Sequence, residues 1–549
     1  MSFNLLTDPF FPVITARGDR KWLSYAELAV VDDDYPVEFG WPRADFNIAA
    51  FEFAIGVATL TFRPQRTMEW IRLWKDPPQP HLVSEKLAPF IHAFELDGDG
   101  PRFMQELGGI DGEVKPIEAL LIDTPGENGQ KKNADLLTHR ARYPAFGLPA
   151  AAIALYALQQ FAPAGGAGNR TSMRGGGPLT TLVLPGSDKD VRAPIWRAIL
   201  ANVIEDEHNE FDDEELPKIL PWLAPTIVSD KAHGERAVAE TDTDVHPLHA
   251  FFGMPRRLAL CMAGSGACPM TGVEGPLIHA FRQNPWGMNY GLWRHPLTPY
   301  RQQKEGAEPY SVKPKSARFG FRDWTAVVVG EKSGVLAHPA EAVGAARREQ
   351  GRRRLLRGDG GADARILAGG WAMNNMEAIT YLTAEQPMHL AASEEAQDAL
   401  DLSALRFAKA ANSVASTLIF ALRAALFSEG AKPATDKGVF EDARAAFFEA
   451  SEDAFHAALD ILLESPEDAG ETQARQWLRV LTRAAFATFE AVAPIPIDDA
   501  GRARRTAEAF RSLRLALAGF GKQGSALFTI LELPPPEPAS SKKGKQNGR

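Results

Sequence analysis

Cysteine is nearly absent from this chain. Cys261 and Cys268 are the only two in 549 residues, too few for a disulfide framework and half the ligand set of a structural zinc site, since no second pair follows Cys268. Long apolar runs are also missing. Nothing approaches the ~18 uninterrupted apolar residues that a membrane span needs. The N-terminus has no basic segment followed by an apolar one, so no signal peptide is expected and the composition fits a cytoplasmic protein. Catalytic signatures are lacking too: there is no Gly-x-Ser-x-Gly elbow, no His-Glu-x-x-His helix and no cysteine in a nucleophile motif. No catalytic residue, metal or cofactor is therefore assigned. His246 and His249, with Asp242 and Asp244 before them, could ligate a metal but read as a solvated polar loop. Scattered Asp and Glu cannot be paired from sequence, which leaves open a nuclease site built from distant carboxylates.

Glycine, by contrast, is concentrated. Between the apolar runs at 150–161 and 179–184 lies Gly165-Gly166-Ala167-Gly168-Asn169-Arg170-Thr171-Ser172-Met173-Arg174-Gly175-Gly176-Gly177-Pro178, with six glycines and two arginines. Glycine lets a backbone approach a ligand without a Cβ in the way. Arginine adds a planar fork suited to phosphate oxygens and base edges. Such a loop can hold a polyanion, or it can be a plain surface connection. It is not a mononucleotide loop: Pro178 and Leu179 follow Gly177 where a Walker loop needs Lys-Ser/Thr, and the preceding Ala/Leu-rich run reads as a helix, not the strand of a dinucleotide fingerprint.

The formal net charge is −10, but binding to nucleic acid depends on where charge sits, not on its sum. Acidic residues crowd 205–215. Basic ones gather in three places: Lys131, Lys132, His139, Arg140 and Arg142; Arg347, Arg348, Arg352, Arg353, Arg354 and Arg357; and Arg502, Arg504, Arg505, Arg511 and Arg514. The fold class expected is α+β. Residues 1–385 mix short apolar runs with many Pro and Gly, including strand-like pieces at Leu179–Leu184 and Ala326–Val329, and read as a large irregular domain. Residues 393–525 turn rich in Ala, Leu, Phe and Glu, with periodic stretches at 400–428, 437–465, 472–493 and 501–520, the pattern of a four-helix bundle. Residues 533–549, Pro- and Lys-rich, are disordered by composition.

Five motifs in order carry a resemblance. They are Phe3-Asn4-Leu5-Leu6-Thr7-Asp8-Pro9-Phe10-Phe11-Pro12-Val13, Arg102-Phe103-Met104-Gln105, the glycine loop through Thr181, Gly291-Leu292-Trp293-Arg294-His295-Pro296, and Gly369-Gly370-Trp371-Ala372-Met373-Asn374-Asn375. Together they resemble the CasA family, the large subunit of the type I-E CRISPR surveillance complex, Cascade, from the first residues to about Ser525. The resemblance implies a non-catalytic subunit that reads the PAM in duplex DNA, helps start strand separation and R-loop formation, and recruits a helicase-nuclease. Its partners would be double-stranded target DNA, the guide-RNA (crRNA) ribonucleoprotein and the other Cascade subunits, with no membrane.

By the same resemblance, Gly165, Gly166, Gly168, Asn169, Arg170, Arg174 and Gly175 would face DNA, together with Asn374, Asn375 and Met376. Met376 stands where some relatives carry a glutamine that wedges into the first unpaired step. Apolar side chains also unstack bases, so Met376 reads either as that wedge or as a core residue after a tight turn. The family's lysine finger has no lysine counterpart before Gly291, which leaves Arg282 or Arg294. Lys131, Lys132, Arg140 and Arg142 fall near the family's loop that anchors the subunit to guide RNA and neighbouring proteins. Two readings compete: a metal-dependent nuclease or phosphotransferase using the glycine loop, and a purely structural scaffold.

Overall fold

The segment Ala44–Phe62 is apolar nearly all round, which suits a helix enclosed on every side. In the computed structural model it forms a 19-residue helix with 16 residues buried. The structure describes residues 2–131, 133, 135, 138–139, 141–166, 168–187, 192–206, 211–315, 319–332, 334–357, 363–374, 376–427, 437–465 and 470–536. Among these, Ala44–Phe62 is the one helix long and apolar enough to cross a membrane, and 89% of that stretch is buried inside the protein. Phe53, at its centre, meets the rings of Phe10, Phe94, Phe103 and Tyr156 at 5.5–5.9 Å between centroids. Three of those rings come from the motifs Phe3–Val13 and Arg102–Gln105 and from the helix before the glycine loop, so the motifs are first of all core-forming.

The fold is mixed α+β. The chain divides into two compact units: residues 1–319 with 326–392, and residues 320–325 with 393–549. The first unit holds small sheets among helices. In one, Arg365–Asn374 runs between Thr180–Leu184 and Glu377–Pro387, antiparallel to both, with Gly369 opposite Thr180 on one side and Thr383 on the other. In another, Glu274–Asn284 pairs with Glu113–Pro116, Phe146–Gly147 and Arg257–Ala267. Cys261 lies within that last strand and Cys268 just beyond it, both as free thiols.

The run Ala326–Val329 departs from the expected strand. It is wound as a π-helical turn, Thr325–Val329, with Ala326, Val327 and Val328 at most 2% exposed. A continuous apolar run marks burial, and periodicity alone does not tell a buried strand from a buried helical turn.

In the second unit, helices span Glu394–Leu426, Lys437–Glu464, Glu471–Val492, Ala500–Leu517 and Gly521–Ile530. Ser393 and Asp499 cap the first and fourth, each side chain accepting a backbone N–H three residues on. Trp477 donates its indole N–H to Phe407 O at 3.0 Å. Phe321, from the short piece 320–325, stacks on Phe455 at 4.5 Å and meets Trp477 at 6.0 Å.

Candidate nucleic-acid interface

The helix Leu148–Phe161 delivers the glycine loop, and Ala162 ends it by turning extended. Two backbone bonds close the neck of the loop: Ser172 N to Ala162 O at 3.1 Å and Gly177 N to Phe161 O at 3.0 Å. The tip folds on itself, Asn169 N donating to Gly166 O at 3.2 Å and Asn169 Nδ2 to Gly165 O at 2.8 Å. Gly166 (φ +87°) has open space where a Cβ would stand. Gly168 (φ +79°) does not, since a Cβ there would lie 2.6 Å from Pro285 Cβ and 2.9 Å from the Trp286 ring. One glycine is thus required by an internal contact, and the other presents bare backbone outward.

The two arginines are used differently from the sequence expectation. Arg174 does not face out: its side chain is fully buried. It donates to Glu52 Oε1 at 2.6 Å, Thr298 Oγ1 at 3.0 Å, Thr180 Oγ1 at 3.2 Å and Gln160 O at 3.4 Å. Glu52 is the carboxylate of the enclosed helix Ala44–Phe62, and a buried carboxylate is stable only when paired. Arg174 is therefore removed from the set of DNA-facing residues; it holds the loop from inside. Arg170 is partly buried, bonded to Ser229 Oγ at 2.9 Å and Ser229 O at 2.7 Å, and lies 5.0 Å over the Trp286 ring.

The remaining motifs gather on this loop. Its end packs against the stem of the hairpin Arg365–Pro387: a Cβ on Gly177 would lie 2.6 Å from Trp371 O, and one on Gly370 the same distance from Pro178 O. At the hairpin tip Asn374, exposed, pairs with Glu377. Asn375 lies outside the described residues. Met376 is 53% exposed with φ +68°, which rules out the core reading: an apolar side chain is held outward in a conformation that L residues rarely adopt. On the other flank, Gln283 Nε2 donates to Asn169 Oδ1 at 2.8 Å. Its neighbour Arg282 is half-buried, its guanidinium 3.4 Å from Asp111. Arg294 is exposed but sits beside acids, its backbone N–H 3.4 Å from Glu240 and its charge acting on Glu341. His295, next to it, turns inward to within 3.5 Å of Glu52.

Burial sets the electrostatics beneath the loop. It pulls the Glu52 carboxyl up, with Arg174 and Thr180 opposing, and holds His295 well below its usual range, helped by the Arg174 charge. Lys313, an exposed residue whose ammonium is turned in to donate to Gly176 O, is lowered to about 8 by desolvation and then by Arg174. Arg256 is lowered to about 10 by desolvation.

A family model described as CRISPR-associated protein Cse1 matches residues 4–488. The chain belongs to the Cse1 family. This is the family, also called CasA, that the five motifs resemble. The fold agrees with solved structures of its members: CasA from Thermus thermophilus (TM-score 0.67, 16% identity, covering 95% of this chain and 100% of that one) and Cse1 from Thermobifida fusca (0.67, 16%, 97% and 98%). A chain of a structure described as a CRISPR RNA-guided surveillance complex matches at TM-score 0.68 and 14% identity, covering 93% of this chain and 99% of that one.

Lys131, His139 and Arg142 are exposed, with Arg142 4.9 Å over Tyr143; Lys132 and Arg140 lie outside the described residues. Of the arginines of 347–357, Arg347, Arg352 and Arg353 are interior, while Arg348 and Arg354 are exposed and Arg357 is half-buried. Arg347 bonds Met388 O at 2.6 Å, Arg352 pairs with Glu205 at 2.9 Å and covers Trp70 at 4.2 Å, and Arg353 reaches Arg348 O at 2.9 Å. The suspected metal cluster is committed elsewhere: Arg236 takes Asp242 and Asp244, and His249 is buried against Tyr290 Oη at 2.7 Å. Among the described residues no group of three His, Cys, Asp or Glu is placed to hold an ion. Sequence reading missed Glu52, Gln283, Arg256 and Lys313. Glu52 had a signal, being a carboxylate in the middle of an apolar helix; the other three act only through contacts distant in sequence.

Proposed function

We propose that this chain is the non-catalytic large subunit of a type I-E Cascade complex in the cytoplasm, reading the PAM in duplex DNA and starting strand separation beside it. The observation that carries the reading is the junction of three elements on one loop: the glycine tip, the stem of the hairpin bearing Met376, and the strand bearing Arg282 and Gln283. A bare-backbone tip admits close approach of a polyanion. An exposed apolar residue at a hairpin tip is the chemistry that unstacks a base step. Gly165, Gly166, Gly168, Asn169, Arg170, Gly175, Asn374, Met376 and Arg282 are the DNA-facing candidates. Lys131 and Arg142 would anchor the subunit to guide RNA and neighbouring proteins. Family membership, and the likeness to a chain of an RNA-guided surveillance complex, support guide RNA and other Cascade subunits as partners. Target DNA and a helicase-nuclease complete the proposed set.

The test is target-duplex binding by the guide-loaded complex, assembled with and without this chain, against a library of flanking sequences. Selection of particular flanks only when the chain is present is expected. Binding indifferent to both chain and flank would refute the reading and leave a scaffold.

A further inference from the structure

The neck of the glycine loop carries more positive charge than it neutralises. Pro163 and Gly176 lie against each other there, a Cβ on Gly176 falling 2.6 Å from Pro163 Cα. Each has its carbonyl held by a cation: Arg256 Nη2 donates to Pro163 O at 2.5 Å, and Lys313 Nζ donates to Gly176 O. Arg174 lies just inside and uses the buried carboxylate Glu52. Neither Arg256 nor Lys313 has a carboxylate partner among the described residues. The charged group that acts on Lys313 is Arg174, which repels it, and burial alone acts on Arg256. A buried guanidinium with no carboxylate partner, and an ammonium turned in toward the Arg174 charge, make an unbalanced arrangement that an incoming anion relieves.

We propose that Lys313 is a phosphate anchor for duplex DNA at this neck, releasing Gly176 O to take one backbone phosphate, with Arg256 as the buried positioning cation behind it. The inference rests on the DNA-reading function above and adds a contact that is blind to sequence. Lys313 is exposed, and a lysine's four-carbon stem allows its ammonium to turn outward. Arg256, 6% exposed, stays with Pro163. A lysine acts on phosphate as a point charge and needs no fixed geometry.

The experiment is duplex binding by the complete guide-loaded complex carrying Lys313→Met or Lys313→Arg, as a function of salt and across several flanks. A lost phosphate contact weakens binding uniformly over sequences, and the slope of log K against log salt becomes shallower by about 0.9. For Lys313→Met we expect roughly a tenfold loss at low salt on every flank with that shallower slope, and for Lys313→Arg a wild-type slope. A structural lesion would weaken binding without moving the slope, and that result, or an unchanged affinity, overturns the proposal. Loss of the chain's incorporation into the guide-loaded complex, with DNA affinity intact once incorporated, assigns the phosphate to guide RNA and also overturns it. Wild-type complex that selects no flank refutes the DNA-reading function itself, a separate outcome from a silent Lys313→Met.

Discussion

Replacing Arg174 by alanine tests whether the glycine loop is held from within. The guanidinium and Glu52 are both fully enclosed, 2.6 Å apart, and the same guanidinium also serves Thr180 and Thr298. Removing one partner of a buried ion pair leaves an uncompensated charge and costs ~3–5 kcal/mol. In Arg174→Ala the Glu52 carboxyl loses the interaction that opposes its desolvation, so its folded pKa rises further above the unfolded value of about 4.3. The sign follows from proton counting. Above the unfolded pKa the unfolded state holds fewer protons than the native state, so stability falls as pH rises until the folded pKa is passed. The gap between wild type and variant should therefore be smallest near pH 4 and widen toward neutrality, at up to about 1.4 kcal/mol per pH unit within that window. Urea unfolding from pH 4 to 8, followed by amide exchange in the helix Ala44–Phe62 and the strand Thr180–Leu184, reads this directly. A double variant, Glu52→Gln with Arg174→Met, removes both charges at similar volume and should recover much of the loss. A single variant as stable as wild type, or one whose deficit does not vary with pH, would refute the buried-pair account.

Other substitutions separate the loop's tip from its neck. Gly168→Ala pushes a methyl into Pro285 and Trp286 at φ +79° and should destabilise the loop by ~1–3 kcal/mol, seen as faster exchange of Asn169 and Trp286 amides. Gly166→Ala meets open space and should cost only about 1 kcal/mol, for its left-handed backbone; comparable losses for the two would deny the contact assigned to Gly168. Met376→Ala, at an exposed position, should leave stability within about 0.5 kcal/mol while slowing strand opening on target duplex. Equal loss of initial duplex binding and of opening would refute the wedge role. In the second unit, Trp477→Ala removes a fully buried indole bonded to Phe407 O and should cost ~3–5 kcal/mol in its unfolding.

Sequence was a good guide where a physical signal is local. The helical texture after residue 393 and the helix before the glycine loop are written in apolar spacing and Ala/Leu content, which are properties of consecutive residues. The family was legible because five motifs recur in order. Individual roles were harder to read. Arg174 and Arg352 look like surface cations in sequence because nothing nearby in the chain announces Glu52, 122 residues before, or Glu205, 147 before. The run Ala326–Val329 has the composition of a strand, yet it is buried as a helical turn, which composition alone does not distinguish. The segment 320–325, which gives Phe321 to the core of the helical unit, interrupts a sequence region with no compositional break.

The inward arginine also resolves a physical difficulty in the loop. Six glycines between two apolar elements lose more backbone entropy on ordering than any other six residues would. A recognition surface made of them would be weak if that cost fell at the moment of binding. Here the cost is met in folding. Arg174 ties the loop to the enclosed helix, Arg170 ties it to Ser229, Arg256 and Lys313 hold the carbonyls of Pro163 and Gly176, and Gln283 holds Asn169. What stays open is the backbone at Gly166, presented by this hydrogen-bonded frame. Arg174 and Arg256 are committed inward, and the tip backbone is left open for close approach. Substitutions of the inward neck side chains Arg174 and Arg256 should therefore be read out as folding defects, and substitutions at the tip or of Lys313 as recognition defects.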